Sequence, residues 1–161
     1  MIDQALSFIL DELNVFLGAR FASSGPHAVL SALVDQDGSV PLGIENKLVL
    51  SLVNLERDTS SSPQLSPSRG GVPRAAPALN LNLYLQVSSN FGANYVQSLQ
   101  FLSAALEFFV ARPLFGAPGL PAGIESLSAE MVNPTIEDLK NLWSVAGSKY
   151  LPSALYKLRM R

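Results

Sequence analysis

The residues of this chain that could do chemistry are few and far apart. One histidine, His27, follows Pro26 and has no carboxylate near it in sequence, so it reads as a loop histidine and not as half of a proton relay. Asp35-Gln36-Asp37-Gly38 hints at a calcium loop. Val40 sits where the turn glycine of that motif belongs and Asn46 where its bidentate glutamate belongs, so a plain turn is the better reading. Gly147-Ser148-Lys149 has the ending of a phosphate-binding loop but follows a helical pattern instead of opening one, which points to helix capping. Glu125 and Glu130 fall on opposite faces of a strand and form no acid/base pair by themselves. Arg69-Gly70-Gly71 is one unit of a motif that works in arrays. The remaining candidates are Lys157, Arg159 and Arg161, three cations on one face of the last strand. They are either a solvated edge that resists aggregation or a contact for an acidic partner surface.

With 161 residues and no cysteine, the chain suggests a single domain, residues 1–161, without disulfides, thiolate metal sites or a cysteine nucleophile. The reading is of a protein that is not an enzyme and needs no cofactor or metal. A net charge of −2 argues against a nucleic-acid binder. No apolar run reaches the ~18 residues of a membrane span. Charge is uneven: residues 1–58 hold eight acids against Arg20, Lys47 and Arg57, while beyond Asp138 only cations occur. Such polarity suits head-to-tail stacking, if the two ends occupy opposite faces.

The strongest pattern runs from Leu79 to Val87, where every odd position is leucine or valine and the even ones are Asn80, Asn82, Tyr84 and Gln86. Period two makes this a strand with one aliphatic face to bury and one amide-rich face. Lys47 to Glu56 is apolar on both faces and predicts a covered central strand. A short strand is expected over Val29–Val34, one over Ile124–Val132 and a last one over Ser153–Arg161.

Three helices alternate with these strands. The first carries Ile2, Ala5, Leu6, Ile9, Leu13, Phe16 and Leu17 at helical spacing, with Gly18 as its expected C-cap. The second, Asn94–Val110, has Tyr95, Leu99, Leu102, Leu106 and Phe109 on one stripe. The third starts at Thr135, with Asp138 as the acid of a capping box, and would bury Ile136, Leu139, Leu142, Trp143 and Ala146. Between Thr59 and Pro77 lie five serines, four prolines and two glycines, expected as a mobile loop whose only charges are Arg69 and Arg74. The order α-β-β-β-α-β-α-β predicts an α+β domain: one mixed sheet of about five strands with three helices packed on it.

Several segments together resemble one family. They are Asn46-Lys47-Leu48-Val49-Leu50-Ser51-Leu52-Val53-Asn54-Leu55-Glu56-Arg57, Leu79 to Leu85, Ser88-Ser89-Asn90-Phe91, Phe101-Leu102, Phe108-Phe109, Asn141-Leu142-Trp143, and Lys149-Tyr150-Leu151-Pro152-Ser153-Ala154-Leu155-Tyr156-Lys157-Leu158-Arg159. The chain is similar to the N-terminal domain of the tail-terminator or cap proteins of contractile injection systems, phage-tail-like particles related to the antifeeding prophage. The resemblance implies a structural protein that ends tube and sheath polymerisation as a ring, a hexamer, at the distal end of the particle. It implies partners that are the chain itself and the tube and sheath proteins. It also implies assembly in the bacterial cytoplasm followed by incorporation into a released particle. Candidate assembly contacts are Arg69, Arg74, Lys157, Arg159 and Arg161. The alternative, a small α+β ligand-binding or regulatory module, requires a concave pocket with convergent polar groups.

Overall fold

A computed structural model describes residues 1–59, 79–116 and 118–161. Its elements are α1 (Ile2–Phe21), β1 (Ala28–Leu30), β2 (Lys47–Arg57), β3 (Leu81–Asn90), α2 (Tyr95–Ala111), β4 (Leu114–Phe115), β5 (Leu127–Val132), α3 (Ile136–Ala146) and β6 (Ser153–Met160). The strands form one six-stranded sheet in the order β1-β2-β3-β6-β5-β4. β1 runs parallel to β2, and the other neighbours are antiparallel, so the sheet is mixed as expected. The sixth strand is the two-residue β4, set in a stretch of prolines and glycines that carries no strand signal of its own.

The alternation in β3 organises the core. Leu81, Leu83, Leu85 and Val87 all point to one face and are buried there. Against them pack Ala5, Leu6, Ile9, Leu13 and Leu17 of α1, Phe101, Ala105 and Phe108 of α2, and Tyr156 and Leu158 of β6. Burying one such aliphatic side chain stabilises the fold by roughly 1.5–3 kcal/mol, so this face outweighs any local propensity. The opposite face is covered only in part. There α3 brings Trp143 down onto Val49, Leu33 and Ile44 in a small second cluster. Capping sets the ends of α3: Thr135 Oγ1 accepts from Asp138 N at 3.1 Å while Asp138 Oδ2 accepts from Thr135 N at 3.2 Å. Gly147 closes it at φ 68, a conformation that glycine enters freely.

Several expectations are corrected. α1 does not stop at Gly18 but continues to Phe21, because Phe21 stacks on Phe101 at 4.2 Å and so extends the buried stripe by a turn. Ala22 then takes the left-handed cap at φ 47. α2 buries Ser98, Phe101, Ala104, Ala105, Phe108 and Phe109, leaving Tyr95 and Leu99 exposed. Its apolar residues surround the axis, so periodicity alone cannot choose the inward face. Ile136 is exposed as well, since α3 touches the sheet mainly through its later turns. β1 is three residues long, and Leu33 and Val34 beyond it pack against the α3 side instead of extending the ladder. β2 lies next to the edge strand, with a buried first half and an exposed second half. β6 lies inside the sheet between β3 and β5, so the basic terminal strand is no sheet edge. The stretch expected as a mobile loop, with Arg69 and Arg74, lies outside the described residues apart from Thr59.

Candidate functional site

The polar face of the sheet beyond α3 carries the terminal cations. In β6, Ala154, Tyr156, Leu158 and Met160 are buried, so Lys157, Arg159 and Arg161 project to the other side, as the period of two requires. What they meet depends on the register. Lys157 lies opposite Tyr84 on β3 and Glu130 on β5, and Arg159 lies opposite Asn82 and Ser128.

β2 adds a third row by means of a bulge between Leu52 and Asn54. A single extra residue reverses which side chains face which side of the sheet. Beyond the bulge Leu55 pairs with Leu83 on the core side, while Asn54 and Glu56 pair with Tyr84 and Asn82 on the polar side. The Tyr84 hydroxyl donates to Glu56 Oε2 at 3.0 Å. Lys157 Nζ stands 5.7 Å from the Tyr84 ring centroid. Arg159 Nη2 donates to Glu130 Oε2 at 2.8 Å, and Arg161 Nη2 lies 3.6 Å from Asp58 Oδ2.

The three cations are thus interleaved with Glu56, Asp58 and Glu130. The surface is a mixed-sign lattice and not a uniformly basic stripe. Such a lattice suits specificity: a neighbour must match a pattern of charges, and wrong registers place like charges together. Glu56, Asp58, Tyr84 and Glu130 escaped the sequence reading. The alternation in β3 pointed toward Tyr84, but no local signal announces the β2 bulge or the pairing of β5 with β6.

The other motifs settle into local roles. Asp37 Oδ1 accepts from the backbone N and hydroxyl of Ser39, and these hydrogen bonds hold its carboxyl below the usual range. With Gly38 at φ 85 the segment is a turn. Among the described residues no three His, Asp or Glu side chains come together as a metal site would need. His27 Nε2 lies 3.0 Å from Ser23 Oγ, and its ring stands 5.6 Å from Phe101. An open hollow of about 560 Å³ there is lined by Phe21, His27, Asn46, Phe91, Asn94 and Phe101. Among the described residues no carboxylate is hydrogen-bonded to His27. No helix among the described residues is long and apolar enough to cross a membrane.

Residues 6–161 match the sequence profile described as the Pvc16 N-terminal domain. The chain belongs to that family. No curated protein sequence matches it significantly. Among solved structures, this Pvc16 N-terminal domain is similar to the tube-terminating cap of the anti-feeding prophage, with a TM-score of 0.51, 15% identity, and coverage of 94% of this chain and 52% of that one. It is also similar to the sheath/tube terminator, in its extended state, of the extracellular contractile injection system PVC, with a TM-score of 0.49, 15% identity, and coverage of 94% and 55%. The chain spans about half the length of both. At this identity the likeness to the anti-feeding prophage cap is one of fold, and it agrees with the α+β architecture read from the sequence.

Proposed function

We propose that this chain is the ring-forming domain of a cap that ends tube and sheath polymerisation at the distal end of a contractile, phage-tail-like injection particle. The observation that carries the reading is the family match over nearly the whole chain. The fold shared with the anti-feeding prophage cap supports it. A terminator must offer one face complementary to the last layer and another that cannot template a further layer. The charged lattice on the polar sheet face is the candidate for the first, with Lys157, Arg159 and Arg161 as its cations, and Arg69 and Arg74 are further candidate contacts. The ring is a hexamer of this chain, its partners are the tube and sheath subunits, and its role is structural instead of catalytic. Assembly takes place in the bacterial cytoplasm, and the cap then leaves with the particle.

Native mass spectrometry of the protein, alone and with tube or sheath subunits, tests the proposal together with electron microscopy of particles lacking the chain. A ring, and particles of irregular length in its absence, is the expected result. Monomers under every condition, with normal particles in its absence, would refute it.

A further inference from the structure

The two faces of β3 treat buried polar groups differently. On the core face, Ser89 Oγ donates to Ser98 O at 2.7 Å and Ser98 Oγ returns a bond to Ser89 O at 3.2 Å. On the face under α3, Gln86 is 1% exposed, yet neither Oε1 nor Nε2 meets a hydrogen-bonding group of the described residues. Ser88 Oγ, two residues on along the same face, and Trp143 Nε1 of α3 likewise lack a hydrogen-bond partner among the described residues. A buried carboxamide left unpaired is destabilising, and natural folds rarely retain one without a reason.

Gln86 also borders two voids. One of about 150 Å³ lies between Met131, Pro134, Leu142 and Leu155. Another of about 230 Å³ lies between Leu33, Val53, Leu142 and Ala146. Leu142 separates them, and no ionisable side chain lines either void. A space of ~150 Å³ has room for a benzene-sized group. Gln86 thus brings an unpaired donor and acceptor to both voids; Asn133 and Ser153 also line the smaller one and Ser51, whose hydroxyl donates to Ser31 O, the larger, and the rest of each lining is mostly apolar.

We propose that this seam beneath α3 is a binding site for a short, uncharged, extended peptide segment of a partner protein. The N–H and C=O of one residue of that segment pair with the Gln86 carboxamide, and its flanking aliphatic side chains enter the voids beside Leu142. In an extended segment the N–H and C=O of one residue point to the same side, so Gln86 can meet the two through Oε1 and Nε2 together. The neutral lining excludes anions, cations and charged peptides, because burying an unpaired charge there is prohibitive. α3 can yield to admit the segment: Trp143 is its one buried residue, and Ile136 and Val145 face solvent. The inference does not depend on the capping role, since it concerns the isolated chain.

The test is nitrogen-15 NMR of the whole protein, titrated with the blocked dipeptide N-acetyl-valyl-leucine-N-methylamide. The expected result is a saturable shift of the Gln86 side-chain amide and the Trp143 indole N–H in the millimolar range, weakened at least about tenfold in Gln86→Met. Gln86→Met keeps the side-chain length, removes the unpaired amide and should melt no lower than wild type. If it fails to fold, Ala146→Leu, which fills the larger void without touching Gln86, should weaken the peptide to a similar degree. No saturable shift with wild type, or undiminished binding by a folded variant, would overturn the proposal. So would a long-lived water on the Gln86 amide that persists at saturating peptide, because the seam would then be an internal hydration site.

Discussion

Reversing Lys157 and Arg159 to glutamate separates the charged lattice from the fold that carries it. Arg161 is left alone because its partner Asp58 is only 9% exposed, and disturbing a nearly buried carboxylate would confuse assembly with stability. The Arg159–Glu130 pair is open to solvent, with side chains 46% and 65% exposed, so losing it costs about 0.2–1 kcal/mol. Facing Glu130 with a new carboxylate costs a similar amount. Moving the Lys157 ammonium off the Tyr84 ring adds about 0.5–1 kcal/mol. The total, about 1–3 kcal/mol, lowers the melting temperature by roughly 3–10 °C in a chain of this size. A second variant, Arg159→Glu with Glu130→Arg, rebuilds the pair in the opposite sense and should recover most of its share of that loss. Both variants should keep the circular dichroism spectrum of wild type. Both should give particles with ragged, uncapped ends by electron microscopy, since the neighbour meets reversed charges. Uniform, capped particles from two folded variants would show that the lattice is merely solvated, and the assembly assignment would fail.

Three further outcomes follow from local geometry. Ala22→Gly should raise the melting temperature by about 1–4 °C in a thermal scan, because relief of left-handed strain, ~1–2 kcal/mol, exceeds the added chain entropy of glycine, ~0.5–1 kcal/mol. Tyr156, buried against Phe109 at 4.1 Å between ring centroids, has its phenol pushed up to about 12 by burial. The folded state then holds a proton that the unfolded state releases near ~10, so stability is intact below that pH and falls between about 10 and 12. Phenolate absorbance should show one of the four tyrosines titrating late, and Tyr156→Phe should remove that step. Asp138 is held below its ordinary value by the Thr135 hydroxyl and backbone, so its contribution is present above the unfolded pKa near 3.8 and fades as pH falls below it. Thr135→Val should reduce the decline of the melting temperature on acidification below that pH.

Elements with a strict period were legible and those set by pairing were not. The alternation from Leu81 to Val87 fixes a two-faced strand whatever its neighbours do, and the capping box at Thr135 and Asp138 fixes where α3 begins. α2 was legible as a helix but not in orientation, because Val96, Leu99 and Val110 make its solvent side nearly as apolar as its core side. β4 is too short to show a period, and it exists because β5 offers it an edge at Leu127 and Ser128. The proposed assembly surface was half visible. Lys157, Arg159 and Arg161 share a face by arithmetic alone, while the acids that interleave them arrive through three separate pairings and a bulge.

That division bears on how the fold and its proposed role share one sheet. Consistency of local and global preferences is what makes a chain fold to one structure, and local conflicts tend to gather where function is placed. On the α1–α2 face no conflict exists: leucines are covered, and the buried serines of β3 and α2 satisfy each other. The opposite face departs from this twice. At one end it exposes charges in a mixed lattice, and under α3 it buries Gln86 and Ser88 with no hydrogen-bond partner for their side chains among the described residues. The lattice adds little to the stability of the isolated domain, and the unpaired Gln86 and Ser88 subtract from it. A sequence selected for stability alone could place aliphatic side chains at Gln86 and Ser88 and thicken the second core cluster around Trp143. On the proposed reading, the α1–α2 face is the rigid support and the other keeps groups for a second molecule to partner. The ordering of stabilities follows: α3 and the β2 segment beyond the bulge should exchange their amide protons first, and β3 and β6 last. Hydrogen exchange measured before and after ring formation would then show protection gained on the α3 side alone. Equal protection on both sheet faces would mean that assembly uses the α1–α2 layer, contrary to the surface assigned to it.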